Sequence, residues 1–227
     1  MKLSVIIPVY RGGILLKELN RRIIEALNGS EYEILFICDK CDHDSFQIVD
    51  ELKKDDPAHI KVYSFKENYG QHKALQYGFE KSSGDLIVTM DEDLQHDPSD
   101  IEKLNKKQIE GNYDIVYGRF TNLQHNGARI ILSSVLRKVL KHFIPTLFED
   151  YSPYRLIKRE IAKGASNMVS PYTFIDDFLS RITQNIAFVD ITHLKRPEGR
   201  SSYTIRKLIK HTVCRKLVYH NSICYCY

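Results

Sequence analysis

Five short apolar runs separated by four stretches of helical spacing constrain this chain more than any other feature. Leu3 to Val9, Tyr32 to Cys38, Ile60 to Phe65, Asp85 to Met90 and Tyr113 to Tyr117 read as strands. Ile14 to Leu27, Asp44 to Lys53, Gly70 to Lys81 and Ser99 to Glu110 read as the helices between them. Strands apolar on both faces and joined through helices predict an α/β fold with a parallel sheet, and such a sheet binds ligands at the carboxyl ends of its strands. The loops at that edge are polar: Tyr10 to Gly13, Asp39 to Asp44 and Asp91 to Pro98.

Beyond Gly118 the alternation stops. Residues 128–144 form an amphipathic helix candidate, Tyr154 to Ile157 and Ala187 to Ile191 are candidate strands, and a last helix begins near Ser201. At 227 residues the chain suffices for one sizeable domain, with 1–192 read as the catalytic unit and 193–227 as a basic amphipathic segment. Hydrophobic residues at 43% and charged residues at 27% exclude disordered, collagen-like and coiled-coil classes. No apolar stretch reaches the roughly 18 residues of a membrane span, and the start lacks a signal-peptide layout, so a cytoplasmic protein is expected.

The net charge of +4 divides unevenly. Between Lys195 and Lys216 eight basic residues face Glu198 alone, a net +7, which leaves −3 for the rest of the chain. A basic amphipathic end suits an anionic membrane surface, which places the protein peripherally at the cytoplasmic face. No nucleic-acid partner is expected, and a homo-oligomer is allowed. Five cysteines form an odd set in a chain without an export signal, so reduced thiols are expected, and the Cys38/Cys41 pair reads as packed thiols because no second pair follows at zinc spacing.

The fourth strand runs into Asp91-Glu92-Asp93. Three adjacent carboxylates repel one another unless something positive lies between them, and a divalent cation is the natural solution. With the backbone extended, Asp91 and Asp93 project to the same side and offer hard oxygen ligands for Mg²⁺ or Mn²⁺. The alternative is an acidic loop capping the helix that starts near Pro98, with Asp97 or Ser99 as N-cap.

The N-terminal strand SVIIPVY, the acidic loop after the second strand, the run Asn68-Tyr69-Gly70-Gln71-His72-Lys73-Ala74-Leu75 and the segment GDLIVTMDEDLQHDP resemble, in order and spacing, the family 2 glycosyltransferases. The likeness is strongest to the polyprenyl-phosphate glycosyltransferases, which include the dolichyl-phosphate mannose synthases. It continues through Asp150-Tyr151-Ser152-Pro153-Tyr154-Arg155-Leu156, similar to that group's D-x-G-x-F-R-L, and Arg196-Pro197-Glu198-Gly199-Arg200-Ser201-Ser202-Tyr203, similar to its R-x-x-G-x-S-x-Y. Two departures stand out. Cys38-Asp39-Lys40-Cys41-Asp42-His43-Asp44 replaces the usual D-D-G-S-x-D, and Glu67-Asn68-Tyr69-Gly70 replaces R-N-x-G. Close relatives usually continue into two transmembrane helices, whereas this sequence ends at Tyr227.

The resemblance implies a GT-A fold, Rossmann-like with a mostly parallel sheet flanked by helices, a nucleotide-diphosphate sugar donor and inversion at the anomeric carbon. By matching position, Pro8, Val9 and Tyr10 would line the base pocket and Asp39 would hydrogen-bond the base. Asp91 would lie near the ribose or metal, Asp93 would ligate the metal, and Gln95 would sit near a phosphate. On the acceptor side Asp150 is the candidate base. Arg155, Arg196, Arg200, Ser201 and Tyr203 are suited to cradle a phosphate, since arginine forks bind its oxygens in pairs. Arg155 reads alternatively as a salt bridge to Asp150 or a neighbouring acid, beside Tyr154 and Leu156 in the core, and the tail arginines as a solvated helix face. Three activities fit: transfer to polyprenyl phosphate, transfer to a saccharide hydroxyl of a capsule or cell-wall glycan, or nucleotide binding by an inactive scaffold.

Overall fold

The structure, a computed structural model, describes residues 1–120, 148, 150–170, 174–192 and 194. The helix expected over 128–144, the basic helix from Ser201, and Arg196, Arg200, Ser201 and Tyr203 lie outside the described residues.

The chain alternates through β1 (Lys2–Val9), α1 (Leu15–Ala26), β2 (Glu31–Asp39), α2 (His43–Asp55), β3 (Ile60–Phe65), α3 (Gln71–Lys81) and β4 (Leu86–Thr89). A 3₁₀ turn, Pro98–Asp100, leads into α4 (Ile101–Gly111), followed by β5 (Ile115–Phe120). Then come β6 (Arg155–Lys158), α5 (Arg159–Ser166), α6 (Ile175–Ile182) and β7 (Ile186–Ile191). The expected strands all form, with ends shifted by a few residues. Helices α5 and α6, at 8 residues each, were not anticipated, because so short a stretch shows little more than two turns of periodicity.

Seven strands form one sheet in the order β3-β2-β1-β4-β6-β5-β7. All neighbours run parallel except at β6, which is antiparallel to both β4 and β5. The chain leaves β1 toward β2 on one side and returns to β4 on the other, so the order reverses at β1. The crevice at the carboxyl ends of β1 and β4 is where such a sheet takes ligands.

The two faces carry separate cores. Val5, Ile7 and Val9 of β1 pack with Leu16, Leu19 and Ile23 of α1 and with Leu104 of α4. Those α1 residues fall at helical spacing, and each fully buried side chain contributes about 1.5–3 kcal/mol. On the other face Ile6, Leu35 and Ile87 pack with Ala74 and Phe79 of α3, Ile161 of α5 and Phe178 of α6. Gly78 permits that approach, since a Cβ there would lie 2.5 Å from Ile6 Cγ2. Among the described residues no helix is long and apolar enough to cross a membrane.

Candidate functional site

Four loops meet at the carboxyl edge of β1 to β4, and each is tied to another. After β1, Tyr10 and Arg11 donate their backbone N–H groups to Glu92 Oε2 and Oε1, both at 3.0 Å. The Tyr10 carbonyl accepts from Asp42 N at 3.1 Å, and Gly13 N donates to Ser45 Oγ at 2.9 Å. After β2, Lys40 adopts a left-handed φ of 51° to make the turn, and Asp42 caps α2 by accepting from Ser45 N at 3.0 Å. Asp39, 4% exposed, accepts from Tyr69 N and Gly70 N at 2.7 Å each, which fixes the loop after β3. Gln71, at the start of α3, donates from Nε2 to Asp91 Oδ1 at 2.5 Å.

The loop after β4 departs from the extended course on which Asp91 and Asp93 would share a side. The strand ends at Thr89 and Leu94 turns with φ 59°, so alternation does not set the directions of the two aspartates. Asp93 Oδ1 accepts from Gln95 N at 3.1 Å, and the Gln95 carbonyl accepts from Leu194 N at 3.1 Å. Glu92 is held by two main-chain donors, which leaves Asp91 and Asp93 as the candidate pair. Burial raises the Glu92 pKa, the Arg11 and Tyr10 amides oppose this, and the charges of Asp91 and Asp93 push it further up. Asp97 caps the following turn by accepting from Ser99 N at 3.0 Å, so the capping reading holds for this acid.

His96 is 3% exposed and lies between two nearly parallel rings, Tyr154 at 5.0 Å and Phe120 at 5.5 Å. Its Nδ1 accepts from Asp91 N at 3.1 Å, and burial lowers its pKa to about 4, so the ring is neutral near pH 7. Tyr154 OH donates to the Asp97 carbonyl at 2.9 Å, which ties the same loop to β6.

The expected donor residues Pro8, Val9, Tyr10, Asp39, Asp91, Asp93 and Gln95 therefore gather at one edge. Val9 is 0% exposed and its side chain belongs to the core, so at this position only the backbone faces the edge loops. Asp150 lies on the same edge beyond β5, with Oδ2 4.0 Å from Arg119 Nη1, while Arg119 Nε bonds Asp190 at 2.7 Å. Arg155 corrects the expectation of a phosphate-facing fork. It is 1% exposed, bonds Asp176 of α6 and lies near the Tyr117 ring, with Tyr154 and Leu156 buried beside it. Burial works against its charge, but Asp176 and Tyr117 outweigh this and raise its pKa.

Glu92, Gln71, His96 and Asp176 were given no individual role by sequence reasoning. A glutamate between two metal-type aspartates was the one signal available. The contacts of Gln71 and Asp176 are with residues 20 or more positions away, and His96 bonds within its own loop in a turn that periodicity does not register. Cys38 and Cys41 are unbridged thiols, Cys38 buried, and a hydrogen bond with Cys41 followed by burial raises the Cys38 pKa.

Among the described residues no cluster of three or more His, Cys, Asp or Glu side chains is arranged to hold a metal ion. Two aspartates alone fit Mg²⁺ or Mn²⁺ as a site that substrate phosphate oxygens and water complete, since such ions commonly use one or two protein carboxylates.

Residues 4–179 match the family model described as "Glycosyl transferase family 2". The chain is 33% identical over 211 residues to an undecaprenyl-phosphate 4-deoxy-4-formamido-L-arabinose transferase of Klebsiella pneumoniae (strain 342), an alignment covering 92% of this chain and 64% of that protein. The chain thus spans somewhat under two thirds of the length of that relative. Among solved structures, glucosyl-3-phosphoglycerate synthase from Mycobacterium tuberculosis, in complex with Mn²⁺, UDP and glucosyl-3-phosphoglycerate, superposes with a TM-score of 0.68 at 18% identity, over 93% of this chain and 76% of that one. A mannosyltransferase from Pyrobaculum calidifontis, in complex with GDP-Man and Mn²⁺, superposes with a TM-score of 0.65 at 13% identity, over 95% of this chain and 64% of that one. The sheet order, the four-loop edge and the family match over most of the chain lead to one assignment: the chain has a GT-A fold and belongs to glycosyl transferase family 2.

Proposed function

We propose that this glycosyltransferase transfers a sugar, with inversion, from a nucleotide-diphosphate sugar to polyprenyl phosphate at the cytoplasmic face of a membrane. The similarity to an undecaprenyl-phosphate sugar transferase over 211 residues carries this reading. In it the backbone at Pro8 to Tyr10 and the Asp39 carboxylate receive the base, and Asp91 and Asp93 hold Mg²⁺ or Mn²⁺. Gln95 lies by the phosphates. The ion, when bound, stabilises the negative charge that grows on the departing diphosphate.

The acceptor side follows from the same chemistry. A phosphate is already anionic, so it needs orientation and charge screening more than proton removal. Asp150 beside Arg119 provides a carboxylate that steers rather than one that must deprotonate. Arg155, paired with Asp176 under the site, keeps β6 in register with β4 and acts through position. Arg196, Arg200, Ser201 and Tyr203 complete the phosphate cradle, and the basic segment they open meets anionic lipid.

The test is an incubation with Mn²⁺, radiolabelled nucleotide sugars and a short polyprenyl phosphate. Label should partition into organic solvent. Label found in a glycan and absent from lipid removes this reading in favour of a hydroxyl acceptor, and Asp150→Asn would then abolish transfer instead of reducing it.

A further inference from the structure

We infer that Glu92 is a positioning residue that joins the nucleotide loop to the metal-ligand turn, so that the base pocket and the cation site are set as one unit. The inference rests on the donor half of the reading above and goes beyond it by giving a role to the middle residue of the acidic triplet.

The geometry is two-sided. Glu92 receives Tyr10 N on one oxygen and Arg11 N on the other, each at 3.0 Å, so a single carboxylate holds the first two donors of the β1–α1 turn. Charge-assisted bonds of this bidentate kind fix direction as well as distance. One residue earlier, Asp91 accepts from Gln71 at the start of α3, and its own N–H is held by His96. Helices α1 and α3 pack on opposite faces of the sheet. Adjacent residues of one turn therefore grip the entry loops of both layers, and Glu92 is the grip on the nucleotide side.

The chain makes room for this contact. A Cβ on Gly12 would lie 2.7 Å from Glu92 Oε2 and 2.8 Å from Leu16 Cγ, and Leu16 is fixed in the core. Any larger residue at position 12 must displace the carboxylate. On its other flank the Tyr10 carbonyl accepts from Asp42 N, so Glu92 and the α2 cap together hold both polar groups of the Tyr10 backbone. Without Glu92 the two N–H groups turn to water or to each other's space, and the backbone that would meet the base loses its definition.

The experiment uses the full chain. UDP, and GDP as the nucleotide part of GDP-Man, both taken from the ligands of the solved neighbours, are titrated calorimetrically in EDTA and again with Mn²⁺, and amide hydrogen exchange is followed at Tyr10 and Arg11. Glu92→Ala should weaken metal-free binding of the preferred nucleotide about tenfold and raise exchange at both amides by a similar factor, as expected for two lost charge-assisted bonds partly replaced by water. Glu92→Gln, which keeps one acceptor, should recover part of both effects. Gly12→Ala should reproduce them from the opposite side.

Unchanged protection at Tyr10 and Arg11 in Glu92→Ala, or nucleotide affinity within about twofold of wild type, overturns the inference. If Glu92→Ala does not fold, Glu92→Gln and Gly12→Ala give the same readings. Wild-type protein that binds nucleotide but moves no sugar to polyprenyl phosphate removes the acceptor reading and leaves this inference standing. Wild-type protein that binds neither nucleotide overturns it.

Discussion

Glu33 and Glu92 stand near opposite ends of the same sheet, and their environments differ in kind. Glu33, near the start of β2, is 1% exposed and meets Lys61 at 2.6 Å, Lys2 at 3.8 Å, the Ser4 hydroxyl and Ser83 N. Burial would raise its pKa, yet these partners win and hold it at about 2. Glu92 receives two neutral amides and two acidic neighbours, and its pKa is raised. A buried acid matched by lysines closes a seam between strands. An acid matched by main-chain amides, beside two more aspartates, makes an edge with unbalanced negative charge.

The sharpest way to break this contrast is to delete Glu33. Glu33→Ala leaves the Ser4 hydroxyl and Ser83 N without their acceptor, while the half-exposed Lys61 turns to water, and should cost about 1–3 kcal/mol for each donor left unpaired in chemical denaturation, while donor KM of the folded fraction stays unchanged. A shift in KM without loss of stability would reverse the roles assigned to the two ends. The pH dependence carries the same sign. The folded-state pKa of about 2 lies below the ordinary 4.5, so the stability from Glu33 is complete above about 4.5 and is lost as pH falls toward 2. Glu33→Gln should flatten that limb of the stability profile, and an equally steep limb in the variant would assign it to other groups.

At the other end Asp93→Asn should lower turnover by about 10²–10³, the scale on which loss of one electrostatic stabiliser acts, with melting temperature unchanged or raised because a mutual repulsion is relieved. Retained turnover with Mn²⁺ would take Asp93 out of the metal set. The smallest effect is expected for His96→Phe. The ring stack with Tyr154 and Phe120 is kept, but Asp91 N loses its acceptor, at a cost of about 1–3 kcal/mol. Mn²⁺ affinity, read by electron paramagnetic resonance, should fall more than metal-free nucleotide affinity. His96→Asn, which offers an acceptor without the stack, should recover part of the Mn²⁺ binding.

Much of the candidate site's placement was legible in the sequence because it lies on one edge by rule. Tyr10, Asp39 and Asp91 each stand at or just past the end of a strand, and a parallel sheet brings the ends of successive strands together whatever the loops contain. Arg155 was less legible. Its motif fits a phosphate fork, but β6 runs antiparallel between β4 and β5 and carries the side chain inward to Asp176, 21 residues further on. The spacing alone could not choose between the fork and the ion pair, because that depends on which face of β6 meets α6. The role of Glu92 was not legible for a related reason: its partners, the amides of Tyr10 and Arg11, lie in the loop after another strand.

The sequence by itself determined the layered α/β architecture and the polar edge on which Asp91 and Asp93 stand. Periodicity and charge act locally, and the apolar pattern leaves few other ways to bury those strands. Only the tertiary structure decided which acids are balanced and how. Lys61 reaches Glu33 across adjacent strands, Asp176 reaches Arg155 from a later helix, and the amides of Tyr10 and Arg11 reach Glu92 over more than 80 residues of chain. Each of those partnerships is fixed by the register and reversal of the sheet, where a neighbour in space need not be a neighbour in sequence.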